Sequence, residues 1–355
     1  MPKVSLPALP VSALFGVVKP SGPTSMSVVD TIKQLVTRSR LFLSPDDIAA
    51  ASKNQGKRQR GKRQAVKMGQ GGTLDPLADG VLVIGIGGAT KHLDQFLGCT
   101  KEYRTTALLG CETDTYDSEG KRVRVAPWRH VTRENVEKAL EQFRGDIAQT
   151  PPIFSALKMD GMALYDYARK GIPLPRPIEK RQVTIHSLEL IEWKGSDHKF
   201  RWPEKQLSEE EKKAMEKALE GVEENPTIKD ELDPNAPSDA DAEALPTAFV
   251  LSMKVTGGTY VRSIVHDLGH ALGSAAHVVT LTRSRQGRFA LDAAETADRS
   301  CVPWEVFKKA SQDEGEADEE GWKGWEREVM NVFETVDGKK PSRSADPVPG
   351  PVVHV

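Results

Sequence analysis

The run Gly71-Gly72-Thr73-Leu74-Asp75-Pro76 sets one carboxylate between two flexible glycines and a rigid proline. Glycine lets backbone approach a ligand closely, and Pro76 fixes the chain direction just after the acid. The apolar stretch 81–86 that follows reads as a buried strand, so Asp75 sits on a tight loop beside it. An acid held in that setting suits a reactive group better than a solvated charge. Three more blocks stand beside it: Lys19-Pro20-Ser21-Gly22, Lys101-Glu102-Tyr103-Arg104 at the start of a strand, and Gly257-Gly258-Thr259-Tyr260-Val261-Arg262 at the start of a helix.

The last of these helices is informative. Counted at 100° per residue from Tyr260, Ile264, Val265, Leu268, Ala271 and Leu272 fall within an arc of about 140°, and Arg262 lies off it at about 200°. A cation near a helix N-terminus opposes the macrodipole, so Arg262 is expected to have a carboxylate or phosphate partner. The alternative is a solvent-facing helix charge.

Around these blocks, 16–18 reads as a short strand and 25–38 as an amphipathic helix carrying Val28, Val29, Ile32, Leu35 and Val36 on one face. A short helix is expected over 90–97, a strand over 102–109, and a helix through Val136, Ala139, Leu140 and Phe143 that Thr132 caps. Further expectations are a short helix at 165–170, strands at 183–193, 249–255 and 278–282, and helices at 208–219 and 260–272. Hairpin-like strands mixed with helices predict an α+β fold with one catalytic domain.

The net charge of −2 conceals strong segregation. Segments 201–246 and 310–337 each carry a net −8, which leaves +14 on the rest. Residues 45–67 add Lys53, Lys57, Arg58, Arg60, Lys62, Arg63 and Lys67 in a polar excursion, either a solvated disordered loop or a flexible phosphate clamp or import signal. A basic body suits a polyanionic partner, foremost nucleic acid. No apolar run approaches the roughly 18 residues that span a bilayer. Cys99, Cys111 and Cys301 are too scattered for a disulfide framework or a zinc site. The N-terminus reads as a poor secretory or mitochondrial signal.

Taken together and in order, these blocks resemble the TruB family of pseudouridine synthases, most nearly its fungal and eukaryotic tRNA pseudouridine-55 branch. The resemblance rests on the Asp75 block, Lys19 to Gly22, the Tyr103 block, Gly258 to Arg262, Arg144-Gly145-Asp146-Ile147, Ser155-Ala156-Leu157-Lys158 within 151–158, 165–171, and Arg181-Gln182-Val183-Thr184-Ile185. It runs from about residue 16 to 291, interrupted near 41–66 and 197–246. It implies a mixed, mostly antiparallel central sheet flanked by helices, with a thumb-like insertion over about 144–176. Residues 1–15 are then an N-terminal extension, 16–300 the catalytic domain with a basic insert (41–66) and an acidic insert (197–246), and 301–355 an acidic C-terminal extension without a recognisable PUA domain.

The resemblance also implies roles. Asp75 is the catalytic carboxylate, Tyr103 stacks on the target base and is implicated in taking its C5 proton, and Arg262 pairs with Asp75 and holds it ionised. RNA binding falls to Lys19 and Pro20 (through buttressing of the loop), Gln70, Gly71, Gly72, Thr73, Lys158, Tyr165, Leu281 and Arg283. Many family members carry a histidine where this chain has Gln70, which can plug a loop but brings no imidazole. The reaction breaks the C1′–N1 bond of a uridine, turns the base, and joins C5 to C1′. Positive charge developing at C1′ suits a nearby carboxylate, as in glycoside cleavage; attack at C6 is the alternative. Substrate and product are isomers, so no cofactor and no metal is expected.

The expected partner is the tRNA T-arm, with T-loop-like mRNA sites as an extension, acted on by a monomer off the membrane in the nucleus and cytoplasm and also the mitochondrion. A tRNA-binding or tRNA-folding protein with secondary catalysis is the competing reading, and the guide-RNA-dependent branch is a third. Gly85-Ile86-Gly87-Gly88-Ala89-Thr90-Lys91 reads as a strand–helix turn rather than a nucleotide loop. His186, His266 and His270 read as satisfied surface residues rather than a metal set. Trp322, Trp325, Val329 and Phe333 read as a terminal helix packed on the body.

Overall fold

The computed structural model describes residues 8–54, 66–155, 157–170, 172, 174–213, 245–294 and 296–336. Its strands are β1 (Ala13–Lys19), β2 (Met68–Gln70), β3 (Asp79–Ile86), β4 (Lys101–Leu109), β5 (Cys111–Thr113), β6 (Arg122–Val125), β7 (Gly145–Gln149), β8 (Lys158–Met159), β9 (Met162–Ala163), β10 (Arg181–Gly195), β11 (Ala248–Val255), β12 (Ala276–Gln286), β13 (Phe289–Ala290), β14 (Cys301–Pro303) and β15 (Glu334–Thr335). The helices that matter below are α1 (Ser25–Val36), α2 (Pro45–Asn54), α3 (Asp94–Gly98), α4 (Arg133–Ala139), α5 (Leu164–Lys170), α6 (Val261–Ala271), α7 (Trp304–Gln312) and α8 (Gly324–Val332). The fold is α+β, as the sequence predicts.

The central sheet runs β14-β1-β3-β12-β4-β11-β10-β7. Its pairs are antiparallel except β1–β14 and β3–β12. β3 is a continuous apolar strand, buried from Gly80 to Ile86, because the sheet is covered on both faces there. Its contact with β12 is confined to Thr282↔Asp79 and Arg283↔Gly80. Gly80 has φ +101°, and a Cβ there would meet the Arg283 carbonyl oxygen at 2.2 Å, so only glycine allows this junction. The Asp75 loop enters β3 at that point.

α1 buries Val28, Val29, Ile32, Leu35 and Val36, the stripe its spacing predicts, and Thr24 caps it by accepting from the Ser27 N–H. Thr132 caps α4 in a capping box with Asn135. Residues 159–178 carry a small core of their own, built from Met159, Leu164, Tyr167 and Ile178.

Three boundaries differ from the sequence reading. Leu41, Phe42 and Leu43 are buried and 45–54 form α2, so the polar excursion opens with ordered structure; the charge-dense stretch 55–65 lies outside the described residues. The expected helix at 208–219 is helical over 209–213, and the rest lies outside the described residues. Residues 301–336, grouped with the tail by charge, build into the domain instead: β14 and β15 both pair with β1, and Phe307, Trp325 and Val329 join the main core. Burial of side chains of that size contributes about 2 kcal/mol each. Asp313, Glu316, Asp318, Glu319, Glu320 and Glu328 are exposed and Glu326 is buried against Ser39, while the buried face is the Trp322, Trp325 and Val329 stripe that the sequence reads as packed on the body.

His277 in β12 is fully buried, its Nδ1–H donates to the Cys111 carbonyl at 2.8 Å, and its Nε2 has no partner among the described residues. Burial pushes its pKa down to about 4. The unfolded chain therefore binds this proton more readily, and stability is lost as pH falls from about 6.5 toward 4. We expect roughly 2 kcal/mol of stability to vanish between pH 7 and pH 5 on this account, and His277→Gln to flatten that slope in urea titrations.

Candidate active site

The Asp75 loop is held from below along its length. The Gly71 carbonyl accepts from Gln286 Nε2 at 2.6 Å, and that of Gly72 from Arg283 Nη2 at 2.9 Å. Arg283 Nη1 donates to the Thr73 carbonyl at 3.4 Å, and Ser25 Oγ donates to that of Leu74 at 2.8 Å while accepting the Leu74 N–H at 2.8 Å. The Asp75 carbonyl accepts from Ala78 N–H at 3.1 Å. Pro76 receives Gly22 N–H at 2.8 Å and Lys19 Nζ at 3.2 Å. Every carbonyl from Gly71 to Pro76 therefore has a donor, which is what fixes a loop rather than lets it wander.

Lys19 is wholly buried beneath this loop, with Nζ donating also to Pro20 and Ala78 carbonyls at 2.9 and 2.5 Å. Burial lowers its pKa to about 8, against the opposing pull of Asp79 and Asp75. It lies beneath the loop with no exposed surface, in the buttressing place the resemblance implies. Gly71 is likewise buried. Gln70 Nε2 donates to Thr73 Oγ1 at 3.1 Å, so its amide braces the loop from the side.

Above the loop, Arg262 projects from the first turn of α6. Its Nε lies 2.8 Å from Asp75 Oδ2, a charge contact off the hydrogen-bond line, and Nη2 donates to Asp75 Oδ1 at 3.1 Å. Nη1 donates to the Thr115 carbonyl at 2.6 Å and lies 3.6 Å from Asp117 Oδ2; Nη2 also reaches the Phe154 carbonyl at 3.1 Å. Arg262 is 4% exposed, so the solvent-facing alternative is ruled out and the expected carboxylate partner is Asp75. Asp117 is buried too, and burial raises its pKa, with Arg262 pulling the other way.

Asp75 opens onto a cleft of about 320 Å³. Tyr103 from β4 and Leu281 from β12 line it with Gly72, Thr73, Arg262 and Arg283. Tyr103 and Leu281 thus put one aromatic and one aliphatic side chain on the cleft wall. Of the remaining expected residues, Lys158 lies in β8 and Tyr165 in α5, and neither they nor Pro20 lines the cleft.

Several lining or supporting residues receive no role from the sequence, although Lys101 and Tyr260 lie within the blocks it singles out. Lys101 lines the cleft with its ammonium held by the Leu97 and Cys99 carbonyls at 3.0 Å each, and burial lowers its pKa. Tyr260 lines it as well, its backbone clamped by Gln149, which accepts its N–H at 2.8 Å and donates to its carbonyl at 2.9 Å. Gln286, Ser25 and the 115–117 turn complete the support. Ser25 was legible only as a helix start, and nothing near Gln286 in sequence signals its task.

Among the histidines, His186 and His270 are exposed as expected, and His266 is not. His266 is buried, its Nε2 3.0 Å from Glu112 Oε1, and His270 Nε2 is 3.1 Å from Glu112 Oε2. Burial opposes charge on His266, but Glu112 and Asp267 outweigh it and push its pKa up to about 10. The three residues have metal-ligating atoms within 4.8 Å of one another, yet Arg124 already occupies that place, with Nε 2.8 Å from Glu112 Oε2 and Nη2 3.1 Å from His270 Nε2. The main counter-charge, Glu112, comes from a strand far away in sequence, which i,i+4 spacing alone does not reveal.

The family model described as TruB family pseudouridylate synthase (N terminal domain) matches residues 58–206. The chain is 36% identical over 367 residues to tRNA pseudouridine synthase 4 of Schizosaccharomyces pombe, covering 90% of this chain and 85% of that protein. It is 33% identical over 362 residues to tRNA pseudouridine synthase 4 of Saccharomyces cerevisiae, covering 92% and 87%. Among solved structures, a chain of a Cbf5-Nop10-Gar1 complex matches at 20% identity with a TM-score of 0.48, over 91% of this chain and 60% of that one. The chain belongs to the TruB family of pseudouridine synthases.

Among the described residues, no helix is long and apolar enough to cross a membrane.

Proposed function

We propose that this chain isomerises uridine 55 in the T-loop of tRNA to pseudouridine. The observation that carries the reading is the Asp75–Arg262 ion pair at the mouth of a cleft walled by Tyr103 and Leu281. The names of the two yeast relatives support tRNA as the substrate. A T-loop-like fold in mRNA offers the same shape and is included in the proposal.

The chemistry follows from the placement. A uridine turned out of its stack enters the cleft, where Tyr103 and Leu281 take the place of the lost neighbours. Asp75 meets the sugar or base as the C1′–N1 bond breaks and answers the charge that develops. The C1′–N1 electron pair stays on the departing uracil, the base turns within the cleft, and C5 forms the new bond to C1′; the C5 proton then passes by way of the Tyr103 hydroxyl to solvent while N1 takes one proton up, so the product is an isomer of the substrate. Arg262 holds the carboxylate still, so little reorganisation is needed at the moment of reaction.

The test is a tRNA transcript incubated with purified protein and mapped for pseudouridine. Modification is expected at one T-loop position, and replacing the T-loop by an unrelated hairpin is expected to slow it by at least about 100-fold, the scale of lost placement. Equal rates on both RNAs would remove the T-loop claim.

A further inference from the structure

Tyr116 has a backbone φ of +62°, a region that costs a bulky residue on the order of 1 kcal/mol or more and persists only where its surroundings impose it. Its ring lies on the imidazole of His266, centroids 3.8 Å apart and planes 19° from parallel. His266 in turn cannot rotate: Nε2 is bonded to Glu112 Oε1 and Nδ1 to Asp267 Oδ1 at 2.9 Å. The residues flanking Tyr116 are those that receive Arg262, the Thr115 carbonyl at 2.6 Å and the Asp117 carboxylate at 3.6 Å. Arg262 and His266 stand one turn apart on α6, so one helix face both presents the guanidinium and supports the turn that aims it.

We propose that His266 and Tyr116 are positioning residues for the isomerisation: the fixed imidazole holds the Tyr116 ring, the ring holds the 115–117 turn, and the turn sets the angle at which Arg262 grips Asp75. This rests on the pseudouridine synthase reading above. Neither side chain lines the cleft, so their effect reaches the substrate only through Arg262. The turn has its own internal bonds, Thr113 Oγ1 to the Asp117 carbonyl and Thr115 Oγ1 to Asp117 Oδ1, both at 2.7 Å. These keep the turn closed; the ring stack sets how it sits against α6.

The experiment compares single-turnover rates and RNA dissociation constants for wild type, Tyr116→Gly and Tyr116→Asn on a tRNA transcript. Gly and Asn both tolerate positive φ, so each removes the ring without new backbone strain. Each variant is expected to lose about 100-fold in rate with RNA affinity unchanged, the cost of misplacing a reacting group by about an ångström. Tyr116→Phe, which keeps the ring, is expected to rescue most of that loss. Combined with Arg262→Lys, Tyr116→Gly is expected to add no further loss, because both act through one contact. Full rate in Tyr116→Gly and Tyr116→Asn, or losses that multiply in the double variant, would overturn the proposal. A wild type that forms no pseudouridine would overturn the functional reading and this one with it, and the wild-type lane alone distinguishes the two failures.

Discussion

Asp75→Asn is expected to abolish pseudouridine formation, lowering the single-turnover rate by at least about 10⁴-fold, the scale on which members of an interdependent catalytic group fail. The substitution keeps the shape and the loop's backbone bonds, none of which uses the carboxylate. It removes the charge, and it turns an N–H₂ toward one of the two Arg262 nitrogens that now face carboxylate oxygens. RNA affinity should change little, because the loop, Tyr103 and Leu281 stay in place. Rate measured under enzyme excess, alongside filter binding, separates the two quantities. Retained turnover would sink the assignment of Asp75; unchanged affinity together with lost turnover would set catalysis apart from simple binding.

Replacement of Arg262 is expected to have the second-largest effect, on rate and stability together. Arg262 satisfies Asp75, Asp117 and the carbonyls of Thr115 and Phe154 from one planar fork. A lysine ammonium keeps the charge but presents a single nitrogen, so Arg262→Lys should slow the reaction by about 10²–10³-fold, comparable to losing a preorganised donor. Arg262→Met leaves the buried Asp117 without its counter-charge, and loss of one partner of a buried pair costs about 3–5 kcal/mol. Urea unfolding midpoints of the two variants test the difference: Arg262→Met should fall well below Arg262→Lys. Equal midpoints would mean that Asp117 does not depend on the charge of Arg262.

How much of this was legible in the sequence depended on which force placed each residue. α1 and β3 announced themselves because apolar spacing reports the core directly. Arg262 was legible as a paired cation because it opposes the helix dipole. His266 was not. It sits beside Arg262 on the face of α6 that hydropathy reads as outward, yet that face is buried against β5 and the 115–117 turn. A polar residue matched by a polar partner from elsewhere in the chain leaves no periodic trace. Lys19 shows the same limit: its buttressing of the loop came from family resemblance, and its complete burial came only from the carbonyls that surround it. In 310–337 the stripe of Trp325 and Val329 read correctly as packing on the body, whereas the acidic composition suggested a separate extension, so charge marked a boundary that packing does not respect.

The anchoring of the six carbonyls from Gly71 to Pro76 has a consequence for substrate choice. A loop so fully committed to its own scaffold cannot bend toward an approaching RNA, so the shape change at encounter must be made by the nucleic acid. Selectivity would then be written in the mechanics of the substrate as much as in its letters: among RNAs that fit the surface, those that surrender a uridine from its stack most cheaply would react first.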